Sequence, residues 1–314
     1  MAFLRFLEGL RTPFFDGFFS IVTHLGEETA FLVIAITVFW CIDKRRGYFT
    51  LITCLIGTLV NQTLKLLCKI PRPWHDPTFT AVESAIPEAT GYSFPSGHTQ
   101  NATGTFLSLA VTSGRKWVRV IFVTLIALVA FSRMYLGVHT PYDVAFSLVF
   151  GTALVFALAP AFKTEEGFRR SMPYITVGSL LPALGYLIYA FSVDEGSVDM
   201  ENLISARENA VTLFTLALCL IIVYFLDTKF IKFETGGAWY VQLIKLVFGF
   251  GILLLIKEGL RSPLISLFEN EYVARGVRYF LVVIFAGVIW PFCFKYLSRI
   301  RIKALDGLFS KKTK

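Results

Sequence analysis

The segment GYFTLITCLIGTLVNQTLKLL, residues 47–67, decides the fold class. Its residues are apolar almost throughout, and Lys65 near its end is its one charged side chain. An α-helix needs about 20 such residues to cross the hydrocarbon core of a bilayer, which is about 30 Å thick. The charged sequence DKRR at 43–46 precedes it directly, which is typical of the cytoplasmic end of a span. The segment therefore predicts a transmembrane helix.

Apolar segments of this kind recur along the whole chain. The 314 residues are 55% hydrophobic and 16% aromatic, and the mean hydropathy is +0.64, well above that of an ordinary soluble domain. We predict an all-α fold, a polytopic membrane helical bundle with about nine transmembrane helices and an N-terminal amphipathic helix. The predicted spans are about 28–42, 47–67, 98–114, 117–136, 141–161, 172–191, 209–227, 238–256 and 277–297.

The first 24 residues differ from these spans. Glu8, Arg11 and Asp16 interrupt a phenylalanine-rich background, and no small-residue cleavage site follows, so a signal peptide is disfavoured. We predict that residues 1–24 form an amphipathic helix in the membrane interface, with a tenth span as the alternative. The rest of the chain is divided into a helical core at 25–161, additional C-terminal transmembrane helices at 162–297 and a basic cytoplasmic tail at 298–314.

Basic residues concentrate in alternate loops. The net charge of +8 could suggest nucleic acid, but the Lys and Arg lie in short connections and in the tail, so we expect no nucleic-acid partner. The positive-inside rule places these connections and the C-terminus in the cytoplasm. The loop at 68–97 and the turn around His139 then face the other side. The basic connections are DKRRG (43–47), RKWVR (115–119), KTEEGFRR (163–170), DTKFIK (227–232) and the tail.

A first polar cluster lies at the end of the 47–67 span, in KLLCKIPRP (65–73). Prolines on both sides of Arg72 break the helix there. A lone lysine at a span end usually extends its amine to the interface, which is the structural explanation for Lys65. The functional alternative is that Lys65 and Arg72 converge on one multivalent anion, with the guanidinium binding two oxygens.

A second cluster is GYSFPSGHTQ (91–100). Ser96 fits the N-cap of the apolar helix that follows, Gly97 permits close approach of the backbone, and His98 opens the helix. The free N–H groups and the positive dipole end of a helix start favour an anion. The structural alternative is an ordinary serine cap followed by an interfacial histidine.

A third cluster is FSRMYLGVHTPYD (131–143), between two predicted spans. His139 lies in a tight turn, and Asp143 can reach back toward it. Asp143 also fits a capping box with Thr140, a structural role that is compatible with orienting the histidine. Arg133 near a span end is unfavourable in a membrane unless it is paired or hydrated. All three clusters fall at span ends on one side, so we predict that their cations, histidines and carboxylate meet.

Together these clusters resemble the three signatures of the type 2 phosphatidic acid phosphatase (PAP2) superfamily. The resemblance covers residues 28–161. The third signature is similar to that of the sphingosine-1-phosphate phosphatase-like branch, whose long members also carry additional C-terminal helices. The matching positions are Lys65–x6–Arg72–Pro73, Pro95–Ser96–Gly97–His98 and Ser132–Arg133–x5–His139–x3–Asp143, with no departure from the pattern.

The resemblance implies a metal-independent phosphatase that uses no cofactor. His139 would attack phosphorus and form a phosphohistidine, Asp143 would hold its ring in the required tautomer, and His98 would protonate the leaving alkoxide. No metal ligand is expected, because Asp143 is the only acid in the signatures. The phosphate-binding residues that it implies are Lys65, Arg72, Ser96, Gly97 and Arg133.

The membrane setting favours a lipid phosphate as the substrate, with membrane lipids around the helices. The leading candidate substrate is a sphingoid-base 1-phosphate or phosphatidate. The alternative is undecaprenyl pyrophosphate or phosphatidylglycerophosphate. The rival classes are a lipid transporter or scramblase and an inactive PAP2-like scaffold. We expect a bacterial plasma membrane protein with an extracytoplasmic site, or alternatively an endoplasmic reticulum protein with a lumenal site. The sequence gives no indication of the oligomeric state.

Overall fold

The computed structural model describes residues 1–299, which form helices joined by turns, with no strand in that range. The all-α prediction is therefore confirmed. All but the first two residues of the predicted basic tail lie outside the described range. The helices are α1 (Ala2–Glu8), α2 (Pro13–Thr23), α3 (Glu28–Thr37), α4 (Lys44–Cys68), α5 (Gly97–Ala102), α6 (Ser108–Thr112), α7 (Lys116–Tyr135), α8 (Pro141–Lys163), α9 (Glu165–Ser192), α10 (Met200–Leu226), α11 (Trp239–Leu254), α12 (Arg261–Phe268), α13 (Glu271–Ile284) and α14 (Trp290–Leu297).

Short π-helical segments extend or join several of these helices. Because of them, neighbouring helices such as α5 and α6 form one continuous helical stretch. These segments are Val38–Ile42 after α3, Thr103–Leu107 between α5 and α6, Asp227–Ile231 after α10, Leu255–Gly259 between α11 and α12, and Phe285–Ile289 between α13 and α14.

The number of membrane spans is lower than predicted. Seven helical stretches within residues 1–299 are long and apolar enough to cross a membrane, or eight if Pro13–Gly26 and Glu28–Ile42, which meet at 51°, form one bent span. All nine predicted segments are helical, but the count of nine is not reproduced. The predicted span at 98–114 ends at Thr112, and a helix that starts at Gly97 is then about 24 Å long, shorter than a hydrocarbon core.

The N-terminal segment forms two helices, α1 and α2, where one amphipathic helix was predicted. The chain turns at Gly9 and Leu10, and Thr12 then caps α2 with Pro13 at its first position. From this turn Arg11 Nη1 donates to the carbonyl oxygen of Thr80 at 2.6 Å. The segment is thus attached to the long loop that follows α4.

Helix α4 is the centre of the bundle. It packs against α5, α8 and α10, and 13 of its 25 residues are buried. Glycine allows the closest of these contacts: a Cβ added at Gly57 would lie 2.4 Å from Nε2 of Gln100 on α5. The helix ends where Lys69 adopts a left-handed conformation with φ of 51°, two residues before the first of the two prolines.

Four helix termini meet at one end of this bundle. They are the end of α4, the start of α5, the end of α7 and the start of α8, and the three polar clusters occupy them. The basic connections at 43–47 and 115–119 lie at the opposite ends of α4 and α7. This arrangement agrees with the separation of polar clusters and basic loops that the sequence predicted.

The C-terminal helices pack against the core. Helix α10 contacts α4, α9 and α13. At the basic end, Lys44 at the start of α4 forms an ion pair of 2.9 Å with Asp227, and Trp40 Nε1 donates to the carbonyl oxygen of Ala286 at 2.8 Å. Within residues 1–299 the C-terminal helices therefore contact both α4 and α8 of the core.

Candidate active site

The Arg72 guanidinium is held by backbone carbonyls and contacts His139. Its Nε donates to the carbonyl oxygen of Gly91 at 3.0 Å, its Nη2 to that of Thr90 at 2.6 Å, and its Nη1 to that of Val138 at 3.0 Å. The same Nη1 lies 2.9 Å from His139 Nε2. Arginine only donates, so Nε2 accepts with its lone pair and the ring proton is on Nδ1. His139 is therefore neutral here.

Asp143 faces the other side of the same ring. Its Oδ2 lies 3.5 Å from His139 Nδ1, and it accepts from the Ser93 hydroxyl at 2.6 Å and from the Thr140 backbone N–H at 2.7 Å. The Thr140 hydroxyl accepts in return from the Asp143 N–H, which completes the predicted capping box. One carboxylate thus caps α8 and lies beside the histidine, as expected from the compatibility of the two roles.

The start of α5 lies beside this pair. Ser96 is the N-cap, its hydroxyl accepting from the Thr99 N–H at 3.4 Å, and its own N–H donates to the carbonyl oxygen of Asp143 at 3.3 Å. Gly97 is the first residue of the helix. Nε2 of His98 is buried and has no hydrogen-bond partner within residues 1–299. A ring nitrogen in that condition is available to a ligand.

The two other predicted cations are buried. Lys65 is 5% exposed and donates to the carbonyl oxygen of Tyr92, so the interpretation of Lys65 as a lysine that extends to the interface is wrong. Arg133 is 0% exposed. Its Nη1 donates to the Thr23 hydroxyl at 2.6 Å, whereas its Nε and Nη2 have no partner in the described part of the chain. Buried donors without partners are unfavourable unless a ligand or water accepts from them.

The groups around His139 lower the pKa of its imidazole. Burial lowers its pKa well below the ordinary value, and the nearby charges of Arg72, Lys65 and Arg133 lower it further. The structure thus brings the predicted cations together around one neutral imidazole, which agrees with the tautomer deduced from the hydrogen bonds.

Some residues at the site were not predicted. Ser93 holds the Asp143 carboxylate and Thr23 holds Arg133, and no feature of the sequence distinguishes either from an ordinary hydroxyl residue. Asn61 is 3% exposed, and its amide has no partner within residues 1–299. A signal for Asn61 was present, since it is a polar residue one helical turn before Lys65 in an apolar span.

His24 lies close to the site although it belongs to none of the three polar clusters. Its sequence surroundings indicate only an interfacial polar residue. Its Nδ1 bonds to Glu27, and Glu88 lies 3.9 Å away; within residues 1–299 these three form the one group of ligand side chains near enough to share a metal ion. The turn His24–Gly26 packs on α5, since a Cβ at Gly26 would lie 2.8 Å from the His98 carbonyl oxygen.

Comparison with known proteins agrees with this geometry. The family model of the PAP2 superfamily matches residues 46–166. The undecaprenyl-diphosphatase BcrC of Bacillus subtilis is 33% identical over 143 residues, which are 44% of this chain and 71% of that protein. The chain belongs to the PAP2 superfamily. All of the residues listed above for the three signatures fall within the PAP2 match.

A second family model matches part of the chain beyond the PAP2 match. A model described as the transmembrane extension of a PAP2 superfamily phosphatase matches residues 211–301. Phosphatidylglycerophosphatase B of Bacillus subtilis is 28% identical, over 51% of this chain and 82% of that protein. Sphingosine-1-phosphate phosphatase 2 of Mus musculus is 24% identical, over 54% of this chain. The chain spans about half the length of this last relative, 48%.

Proposed function

We propose that this PAP2 protein is an integral membrane phosphatase that hydrolyses a lipid phosphate monoester through a phosphohistidine at His139. One observation carries the proposal: His139 Nε2 accepts from Arg72 at 2.9 Å while Asp143 lies 3.5 Å from Nδ1 on the other side of the ring. A nucleophilic nitrogen requires a lone pair, and this arrangement places one on Nε2 because the ring proton is on Nδ1. A purely structural histidine would not need a cation on its lone pair and a carboxylate behind it.

The first chemical step transfers the phosphoryl group to His139. Substrate phosphate takes over the Arg72 donor, which frees Nε2 to attack phosphorus. His98 takes up a proton when the substrate binds, because the phosphate charge offsets the surrounding cations. As the N–P bond forms, the bond from phosphorus to the lipid oxygen breaks, and His98 gives this proton to the leaving alkoxide. The 3.5 Å contact between Nδ1 and Asp143 Oδ2 shortens to a hydrogen bond as the imidazolium develops, because the carboxylate stabilises the new positive charge.

The second step returns the enzyme to its starting state. His98, now neutral, takes a proton from water as the water oxygen attacks the phosphohistidine. The N–P bond breaks and phosphate leaves. Positioned proton transfer of this kind contributes about 10²–10⁴-fold.

Charge on the phosphoryl oxygens is stabilised by the surrounding donors. Arg72 is fixed by three carbonyls, and Arg133 presents two nitrogens that have no protein partner in the described range. Lys65 adds a third cation, and the Ser96 hydroxyl and the Gly97 N–H complete the phosphate-binding set that we propose. Donors that are held in place before the reaction stabilise transition-state charge without reorganisation. Three cations make a metal unnecessary for this role.

A lipid substrate is supported by the position of the site at helix ends. The phosphate of such a lipid reaches the cations while its hydrocarbon chain remains among the helices. We propose a sphingoid-base 1-phosphate or phosphatidate. The likeness to undecaprenyl-diphosphatase BcrC and to phosphatidylglycerophosphatase B supports undecaprenyl pyrophosphate or phosphatidylglycerophosphate as the alternative. The basic loops at the other end of the bundle support a site on the non-cytoplasmic face.

The test is phosphate release from a panel of lipid phosphates in detergent. Wild type is compared with His139→Ala and with Arg115→Ala, an exposed control at the opposite end of the bundle. We expect release by wild type and the control, a loss of at least about 10⁴-fold in His139→Ala, and full activity after EDTA treatment. Release that is unaffected by His139→Ala refutes the mechanism, and release that requires Mg²⁺ refutes the metal-free chemistry. The same panel ranks the substrates.

A further inference from the structure

We infer that the cavity between the PAP2 core and the C-terminal helices is the binding site for the hydrocarbon chain of the substrate, so that the extension helps to select the lipid. This inference rests on the proposed function. The cavity has a volume of about 230 Å³, larger than the roughly 150 Å³ apolar cavity that holds a benzene ring in another protein.

The cavity begins at the active site. Gly97, the first residue of α5, lines it together with Asn61 and Gln100. A Cβ built on Gly97 would be 3.8 Å from Asn61 Oδ1, and the Asn61 amide and Gln100 Nε2 have no hydrogen-bond partners within residues 1–299. This end therefore presents unpaired amide groups beside the phosphate-binding residues, where the polar part of a lipid next to its phosphate would lie.

The cavity continues into an apolar interior. Along α4 its lining runs from Asn61 back to Tyr48, a distance of about 20 Å at the rise of an α-helix. That length exceeds the roughly 15 Å of one leaflet of the hydrocarbon core. An apolar space of this length beside a phosphate site matches one long alkyl chain better than it matches water or a soluble ester.

Eleven of the 26 residues that line the cavity come from the C-terminal helices. Helix α10 contributes Leu213, Leu216 and Leu220, and α13 contributes Val282 and Val283. Leu51 and Leu55 of α4 line the same cavity. Removal of the extension would leave this face of α4 open, so the PAP2 core alone lacks a closed chain site here.

The test uses neighbouring residues of α13. Val282 lines the cavity, whereas Leu281 does not and is 37% exposed. Val282→Phe narrows the space, and Leu281→Phe adds the same ring to the outside of the helix. The substrates are hexadecyl phosphate and butyl phosphate, which share a head group and differ in chain length. The measured quantity is the ratio of kcat/KM for the long chain to that for the short chain.

We expect Val282→Phe to lower this ratio at least about tenfold, as steric exclusion from an apolar pocket does, and Leu281→Phe to leave it at the wild-type value. Leu216→Phe, which enters the cavity from α10, repeats the measurement if Val282→Phe does not fold. An unchanged ratio in both cavity variants, or an equal fall in Leu281→Phe, overturns the inference. If wild type hydrolyses neither ester nor any lipid phosphate, the proposed function itself fails, which is a separate result.

Discussion

Arg72 Nη1 lies 2.9 Å from His139 Nε2 and also donates to the carbonyl oxygen of the preceding residue, Val138. One cation thus fixes both the backbone and the ring of the turn that carries the proposed nucleophile. Because arginine cannot accept a hydrogen bond, the contact also determines which ring nitrogen holds the proton. The same guanidinium is the nearest cation for a phosphate that approaches Nε2.

Arg72→Lys tests this dual role. A lysine keeps the charge but cannot reach three carbonyls and the imidazole at once. We expect kcat to fall by about 10²–10³-fold, the range for loss of one fixed oxyanion donor. Steady-state kinetics measures the change, and Arg115→Lys at the exposed opposite end is the matched control. Equal activity of Arg72→Lys and wild type would contradict this dual role of Arg72.

Asp143→Asn tests the effect of Asp143 on the His139 ring separately from its part in the cap of α8. An amide still accepts from the Thr140 N–H, so the cap survives, but it stabilises no imidazolium at His139. We expect kcat to fall by about 10⁴-fold, as in the corresponding change of a catalytic triad, with the melting temperature within a few degrees of wild type. Thr140→Ala is the converse variant. It removes the hydroxyl that caps Asp143 N–H, and we expect a stability loss of about 1 kcal/mol without a comparable loss of kcat.

The sequence located the residues that meet at the candidate site better than it located the residues that hold them. Lys65, Arg72, His98, His139 and Asp143 were identified because three clusters of charged residues and histidines fall at span ends on one side. Ser93 and Thr23 hold two of the site side chains from distant positions, and hydroxyl residues are too common for their role to be seen before the chain is folded. His24 was underestimated for a related reason, since its proximity to α5 depends on the turn at Gly26.

The positions of the helices were also predicted better than the number of membrane spans and the bends between them. Each of the nine segments predicted from hydropathy is helical. Hydropathy could not show that 13–26 and 28–42 meet at 51° or that Ser113 ends the α5–α6 stretch. The amphipathic pattern of residues 1–24 similarly concealed the turn at Gly9 and Leu10. Bends and breaks depend on local turn residues and tertiary contacts, to which a hydropathy average is insensitive.

The activity should persist below neutral pH. The nucleophile must be unprotonated, and burial together with Arg72, Lys65 and Arg133 lowers the pKa of His139 well below its ordinary value of about 6.5. The charge of His98 acts in the same direction. Among the carboxylates, Asp143 opposes Lys65 and Arg72, and Glu88 and Glu27 oppose Arg133. In the pH profile of kcat/KM, we expect the fall in activity that reports protonation of His139 to occur below a pH of about 6.5. Such a fall at or above that pH would contradict a neutral, buried nucleophile.

The lowered pKa of His139 also makes the folding stability depend on pH. A histidine that is harder to protonate in the folded state favours unfolding once the pH falls below its unfolded pKa of about 6.5. Stability from this residue is therefore complete above that value and is lost as the pH falls toward the lower, folded pKa. Thermal unfolding in detergent as a function of pH measures the effect, and His139→Gln should reduce the slope of melting temperature against pH below pH of about 6.5.

Gly47 and Gly178 should respond oppositely to alanine, although both lie inside long helices. A Cβ at Gly47 would be 2.5 Å from the Phe39 Cα, a backbone atom that cannot move aside alone, whereas a Cβ at Gly178 meets nothing within 4 Å. We expect Gly47→Ala to destabilise the fold by roughly 1–3 kcal/mol through overpacking. Gly178→Ala should be neutral or stabilise it by up to about 1 kcal/mol, since alanine restricts the unfolded chain more than glycine. Melting temperatures in one detergent compare the two variants, and a similar shift in both would show that close packing of α4 against Phe39 is not what requires glycine at position 47.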